Sequence, residues 1–253
     1  MNTSNPAPTI RGMRRMIVLL PIGSCEQHGP YLPIDTDLRI AQLLAERLYQ
    51  ALVGTESLLL PALPFSASWE HRGLGTLALN VGTIAAVLHD LAYSLTTWHM
   101  PLLLVLVNWH GGNDLLASLA TEITAREGVP TAVVPSIAQV GKAWDESRIT
   151  SAKDIHAGAV ETSVIRAYWP DLVFERLPAS AHDEPVIAPA KVQAVLQALG
   201  SYALTREGIW GAPEQADPDK GRALIETLVQ SMADQILALR DLVDKQPIGG
   251  GMS

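Results

Sequence analysis

The apolar stretch Met16-Ile-Val-Leu-Leu20 and the polar loop that follows it, Gly23-Ser-Cys-Glu-Gln-His-Gly-Pro-Tyr-Leu-Pro-Ile-Asp-Thr-Asp37, decide the fold class. Five consecutive apolar residues, without the alternation of a half-exposed strand, indicate a strand that is buried on both faces. Residues 58–63, 102–107 and 131–134 repeat this pattern between Pro, Gly or Asn residues. Amphipathic stretches separate these strands, and this alternation predicts an α/β fold with a mainly parallel sheet and helices on both faces.

The helical stretches set the expected extent of the domain. Helices are predicted over residues 38–52, 83–99, 114–126, 156–168 and 219–243. No internal repeat or low-complexity linker interrupts the chain. We therefore expect one domain over residues 16–246, with a loose N-terminal tail at 1–15 and a frayed tail at 247–253.

Composition excludes several classes of protein. The 253 residues are 48% hydrophobic and carry a net charge of −8, so a disordered chain and a nucleic-acid partner are both disfavoured. The only cysteine, Cys25, excludes an internal disulfide and a four-thiolate zinc site. The apolar runs are far shorter than the roughly 18 residues of a membrane span, so no membrane association is expected. The run Ile22-Gly-Ser-Cys25 resembles a lipoprotein cleavage site, but the preceding apolar run is short and contains Pro21, so we expect a cytoplasmic protein.

Three polar clusters carry histidine and carboxylate side chains. Two of them directly follow predicted strands, where the ligands of open α/β sheets bind. The three clusters are the Glu26–Asp37 loop and the sequence Asn108-Trp-His-Gly-Gly-Asn113, which follow strands, and the sequence Asp154-Ile-His-Ala-Gly-Ala-Val-Glu161-Thr-Ser163. Taken singly, these residues have ordinary alternatives: Glu26 and His28 as a surface pair, His110 as part of a glycine turn, and Asp37 as a helix cap. Their joint occurrence predicts a metal site.

These motifs resemble the creatininase family of metal-dependent amidohydrolases. The resemblance runs from about Ile17 to the region of residues 208–221 and keeps the order of the motifs. It implies a three-layer αβα domain, two divalent metal ions per chain and hydrolysis of a C–N bond by a metal-bound hydroxide. Zn²⁺ and Mn²⁺ are the expected ions, with Fe²⁺ as a further candidate, and a homo-oligomer, hexamers included, is the expected assembly.

The resemblance also assigns roles to individual residues. Glu26, His28, Asp37 and His110 fall on family metal ligands, with Asp37 as the bridging carboxylate. His156 falls on the histidine that is proposed to transfer a proton.

The assignment of the fifth ligand is less direct. Gly112 stands where creatininase has a ligand acid, so we infer that Glu161 supplies the missing carboxylate. Asp114 and Asp154 are the alternatives.

Three departures from the family concern the substrate pocket. Trp109 replaces a glycine, and it is either strained at positive φ or a wall of the pocket. Tyr31 replaces a histidine, and the loop containing Glu70 and His71 is a shortened version of the family pattern. We expect these four side chains to contact substrate.

Three functions remain open at this level. The substrate is a small, cyclic amide in the first, and a ribosomal precursor peptide of the mycofactocin type in the second. The third is a metal-binding scaffold without catalysis, which would be free to lose a ligand or His156, although the sequence retains all of them.

Overall fold

The computed structural model of the protein describes residues 4–149, 154–174, 189–205 and 207–245. Within these ranges the chain forms four strands: β1 (Met16–Ile22), β2 (Ser57–Leu59), β3 (Leu102–Asn108) and β4 (Thr131–Val134). It also forms eight α-helices: α1 (Ala7–Arg11), α2 (Thr36–Ala51), α3 (Val81–Thr96), α4 (Leu115–Glu127), α5 (Ile137–Ser147), α6 (Ala159–Tyr168), α7 (Pro189–Leu199) and α8 (Pro218–Val243).

The strands form one parallel sheet in the order β2-β1-β3-β4. All seven residues of β1 are buried, which explains why that strand is a continuous apolar run. The register pairs Ile22 with Asn108 at the carboxyl ends of β1 and β3. The two loops that leave these strand ends therefore start side by side.

Helices cover both faces of the sheet. On one face, Ile17 and Leu19 pack with apolar residues of α2, α6 and α8. On the other face, Val18 and Leu20 pack with residues of α3 and α4. This arrangement confirms the predicted α/β fold with a parallel sheet between helical layers.

Besides α1, two helices were not predicted from the sequence. Helix α5 begins at a capping box in which Ser136 and Gln139 bind each other's backbone N–H groups, and the motif Ser136-Ile-Ala-Gln139 could have revealed it. Helix α7 is the other. The predicted helix over 156–168 begins at Ala159, because Trp210 holds His156 in a short β-bridge.

The chain termini bear on the expected tails. Within the stretch expected to be loose, α1 forms, and Ile10 and Met13 pack against the core on the α3–α4 face. The tail predicted at 247–253 lies outside the described residues, and the limits 16 and 246 stay predictions. No helix in the described part of the chain combines the length and the apolarity that crossing a membrane requires.

Candidate metal centre

The loop after β1 returns on itself and brings three acidic and histidine side chains together. Glu26 and His28 lie in the loop, and Asp37 lies in the first turn of α2. The loop closes through a hydrogen bond from Glu26 N–H to the Ile34 carbonyl, 2.8 Å. Gly23 permits this closure, because a Cβ there would overlap the backbone of α2 at Leu38. Asp37 is thus directed inward instead of capping its helix.

The loop after β3 supplies His110. Asn108 donates a hydrogen bond to the His110 carbonyl (3.1 Å), and Asn113 donates to the Asn108 side chain (2.8 Å). The His110 side chain is buried beside the Glu26 loop, as expected from the adjacent ends of β1 and β3.

Helix α6 supplies Glu161 from its first turn. Asp154 anchors the start of this helix, because its buried carboxylate accepts a hydrogen bond from Val160 N–H at 2.6 Å. A Cβ at Gly158 or at Gly211 would overlap this carboxylate. Burial raises the pKa of Asp154 to about 7. Asp154 therefore positions α6.

The converging side chains form two trios that share Asp37. In the first, His28 Nε2 lies 3.5 Å from Asp37 Oδ1 and 3.6 Å from Glu161 Oε2. In the second, His110 Nδ1 lies 3.2 Å from Asp37 Oδ2 and 3.3 Å from Glu26 Oε2. Each Asp37 oxygen faces a different histidine, which is the arrangement that a carboxylate bridging two cations requires.

The hydrogen bonding within the trios leaves lone pairs free for cations. His28 Nδ1 bonds to the Glu26 carbonyl at 3.1 Å, and because a carbonyl only accepts, Nδ1 carries the proton and Nε2 the lone pair. Both His28 Nε2 and Asp37 Oδ2 are buried, and neither has a hydrogen-bond partner among the described residues. Buried polar atoms are normally satisfied, so these donor atoms fit a pair of divalent cations.

The electrostatics of the metal-free site point the same way. Burial disfavours protonation of His28, but Asp37 and Glu161 outweigh it and raise its pKa well above the usual value. Burial likewise opposes protonation of His110, and Glu26 and Asp37 raise its pKa. Cations in these positions would replace the protons that the carboxylates attract.

His156 lies beside the trios with one nitrogen anchored. Its Nε2 is 2.8 Å from the Gln27 carbonyl, which only accepts, so Nε2 carries the proton. Its Nδ1 therefore holds a lone pair, 3.7 Å from Glu26 Oε1. Burial and the neighbouring His28 lower the pKa of His156, which keeps the ring neutral and able to accept a proton at Nδ1.

Two cavities meet at this cluster. The smaller, about 460 Å³, is lined by Glu70, His71 and Trp210 among others. The larger, about 790 Å³, is mostly apolar and is lined by Trp109 and Trp144 among others. Both cavities also reach His110, His156 and Glu161.

The four side chains expected to contact substrate lie in different surroundings. Trp109 is not among the described residues with positive φ, so the strained alternative is wrong; its indole walls the larger cavity and donates to Glu161 Oε1 at 3.3 Å. Glu70 and His71 line the smaller cavity, with His71 almost wholly buried. Tyr31 packs against the core on the α2–α6–α8 face and lines neither cavity.

Known proteins resemble the chain over nearly its whole length. The family model described as "Creatininase: Creatinine amidohydrolase" matches residues 6–236. The chain belongs to the creatininase family. A mycofactocin precursor peptide peptidase of Mycolicibacterium smegmatis is 31% identical over 234 residues, covering 90% of this chain and 88% of that protein. A creatinine amidohydrolase of Pseudomonas putida is 24% identical, with 87% and 88% covered.

Solved structures share the fold of this creatininase-family chain. A putative creatinine amidohydrolase from Bacteroides fragilis superposes with a TM-score of 0.74 at 22% identity, covering 98% of each chain. Other matching creatininase structures include a mutant of Zn–Zn type and one named for manganese. Membership confirms the predicted fold and the predicted hydrolase class, which acts on C–N bonds.

The creatininase-family site contains two features that sequence reasoning missed. A Cβ at Gly112 would overlap the carboxylate of Glu70, whose Oε1 lies 3.4 Å from His110 Nε2. Glu70 thus occupies space near the position of the family's missing acid, which no local signal indicated. The second feature is the presence of Gln27 in the site. Its position between two expected ligands, Glu26 and His28, was a signal in the sequence that could have indicated this.

Proposed function

We propose that the chain is a two-metal amidohydrolase in which Glu26, His28, Asp37, His110 and Glu161 hold two divalent ions. The observation that carries the proposal is the pair of trios that share Asp37 through different oxygens. Nitrogen and oxygen donors suit Zn²⁺ and Mn²⁺, and solved creatininase structures named for these two metals support the choice. Fe²⁺ is a further candidate.

The charges support two dications. Glu26, Asp37 and Glu161 contribute three negative charges when ionised. Burial opposes ionisation of Glu161 and Asp37, but His28 lowers the pKa of both carboxyls, and His110 also lowers that of Asp37. Two bound divalent ions would supply Lewis-acid polarisation of the scissile carbonyl and a nucleophile from water at neutral pH.

His156 would move the proton that amide hydrolysis requires. An amide nitrogen is a poor leaving group until it is protonated, and His156 Nδ1 holds a lone pair directed toward Glu26 at the centre of the site. The hydrogen bond from Nε2 to the Gln27 carbonyl holds the ring in this orientation. His156 would therefore accept a proton at Nδ1 and deliver it to the leaving nitrogen.

The first candidate substrate is a small, cyclic amide, as for the family's creatinine amidohydrolases. The smaller cavity, about 460 Å³, has walls that include the charged residues Glu70 and Arg72, and its size suits such a molecule. Trp109 in the larger cavity would contact the far side of the substrate.

The second candidate substrate is a precursor peptide. Two observations favour it: the 31% identity to the mycofactocin precursor peptide peptidase, and the larger apolar cavity that joins the smaller one at the metal cluster. Two adjoining cavities leave room for groups on both sides of a scissile bond.

Turnover of a substrate panel tests the proposal. We expect the protein loaded with Zn²⁺ or Mn²⁺ to hydrolyse at least one of a set of lactams, formamides and short peptides, and to lose this activity in a chelator. Preference for lactams would favour the first candidate, and preference for peptides the second. Two bound ions without turnover of any substrate class would favour the non-catalytic scaffold instead.

The assembly and the compartment are further parts of the proposal. We propose a homo-oligomer, with a hexamer as one candidate, in the cytoplasm. Light scattering coupled to size-exclusion chromatography measures the assembly, and a mass of one chain, about 27 kDa, would contradict it.

A further inference from the structure

His71 belongs to a group of side chains that resembles a third metal site. Glu26 Oε1 lies 3.5 Å from His71 Nε2 and 3.7 Å from His156 Nδ1, and the three ligand atoms could surround a cation. The rings of His71 and His156 also lie against each other, with centroids 4.1 Å apart. The hydrogen bonds around His71 decide between a ligand and another role.

The carboxamide of Gln27 has a defined orientation. Its Oε1 accepts a hydrogen bond from Gly29 N–H at 3.1 Å, so the opposite end is the NH₂ group. That Nε2 donates to the Gly208 carbonyl at 3.3 Å. Gly208 has φ +76°, and a Cβ there would overlap the Gln27 carboxamide, so only glycine permits this clamp.

The same NH₂ group determines the tautomer of His71. Gln27 Nε2 lies 2.9 Å from His71 Nδ1, and because an amide NH₂ only donates, Nδ1 is the acceptor. The neutral ring then carries its proton on Nε2, the nitrogen that faces Glu26 Oε1. A protonated nitrogen cannot bind a cation, so the group is not a third metal site.

We propose that His71 is a positioning residue that donates from Nε2–H to Glu26 and is itself oriented by Gln27. This inference rests on the proposed function, because it treats Glu26 as a metal ligand. Glu26 then uses Oε2 toward His110, at 3.3 Å, and Oε1 toward His71. Outer hydrogen bonds of this kind orient ligands, and their loss typically costs about 10–100-fold in metal affinity. His71 therefore acts on the ion held by Glu26 and not on the substrate.

Two replacements of His71 separate positioning from packing. His71→Phe keeps a flat ring against His156 but removes the N–H donor, whereas His71→Gln retains an N–H donor at about the distance of Nε2. His89→Phe is the matched control, because His89 lies on α3 and pairs with Glu127 away from the site.

Competition between the protein and a chelator for Zn²⁺ measures the effect. We expect His71→Phe to lower the affinity for one of the two ions about 10–100-fold, and His71→Gln to retain most of the unmodified affinity. His89→Phe should match the unmodified protein. Unchanged affinity in His71→Phe, or equal losses in the Phe and Gln variants, would overturn the positioning role.

The ¹⁵N spectrum of the histidine rings gives an independent test on the unmodified protein. We expect the His71 signals, assigned by through-bond correlations in the unmodified protein, to show Nε2 protonated and Nδ1 bare. A proton on Nδ1 would overturn the inference even if both variants failed to fold. If the unmodified protein binds no Zn²⁺, the proposed function fails, and this spectrum still tests the orientation of His71 by Gln27.

Discussion

Replacing Glu161 by glutamine tests which acid completes the site that Gly112 leaves short. Glu161 Oε2 lies 3.6 Å from His28 Nε2, whereas a further acid of the site, Glu70, faces His110 Nε2. That nitrogen of His110 points away from its trio, since Nδ1 is the one near Asp37. We therefore expect Glu161→Gln to lose one of two ions and Glu70→Gln, the matched control, to keep both.

The expected size follows from linkage between binding and folding. At a free metal concentration about 100 times the Kd, each ion adds about 2.7 kcal/mol to the free energy of unfolding. For a chain of this size that corresponds to a rise in Tm of about 5–11 °C per ion. A 100-fold weaker Kd at the same concentration leaves only about 0.4 kcal/mol.

A 100-fold loss is a conservative expectation for Glu161→Gln. Two unit charges 4 Å apart interact by about 4 kcal/mol at an effective dielectric constant of about 20, and a 100-fold change in Kd is only about 2.7 kcal/mol. Removing a full carboxylate charge next to a dication therefore suffices to weaken metal binding 100-fold. The metal-induced change in Tm should fall to about half of its value in the unmodified protein.

The assay must separate metal binding from local hydrogen bonding. Ala157 N–H and Trp109 Nε1–H each donate to a different Glu161 oxygen, and a glutamine offers only one oxygen. Losing a bond to a charged acceptor costs about 1.5–3 kcal/mol, so the metal-free variant should also melt lower. We therefore compare Tm with and without metal, together with elemental analysis. Two ions and a full change in Tm for Glu161→Gln, with one ion lost in Glu70→Gln, would refute the assignment to Glu161.

Four further predictions concern the metal and proton chemistry. Elemental analysis should find about two divalent ions per chain after loading with Zn²⁺ or Mn²⁺, and none bound would contradict a metallohydrolase. His156→Ala should keep both ions and its Tm but lose about 10²–10⁴-fold in rate, less for activated leaving groups; loss of an ion would make His156 a ligand. The pKa values of His28 and His110 are raised in the metal-free protein, so their contribution to the stability of the fold is full below about pH 6.5 and is lost as the pH rises through the higher folded values. The Tm of the metal-free protein should therefore fall above that pH. Metal binding should release the protons of these histidines, and calorimetry in two buffers that shows no release would contradict this. Burial raises the pKa of Asp154 to about 7, so as the pH rises from about 4 to about 7 the free energy of unfolding of the unmodified protein should fall relative to that of Asp154→Asn. Parallel pH profiles of unfolding for the two proteins would contradict this.

Local sequence was sufficient for the sheet and for the first candidate ligands. A strand buried on both faces must be apolar throughout, so β1 and β3 were visible as uninterrupted runs. Parallel strands end at the same edge of the sheet, which let the polar residues after each strand be grouped. The family motifs then identified Glu26, His28 and Asp37 individually, because each lies within one continuous segment.

The tertiary structure decided what depends on segments far apart in the chain. The tautomer of His156 is set by a carbonyl 129 residues away, and Glu70 approaches Gly112 from another loop. The burial of His71 likewise follows from packing and not from periodicity. The physical reason is that periodicity records only whether a residue is buried, whereas the direction of a hydrogen bond or the charge beside a histidine depends on which distant segment packs against it.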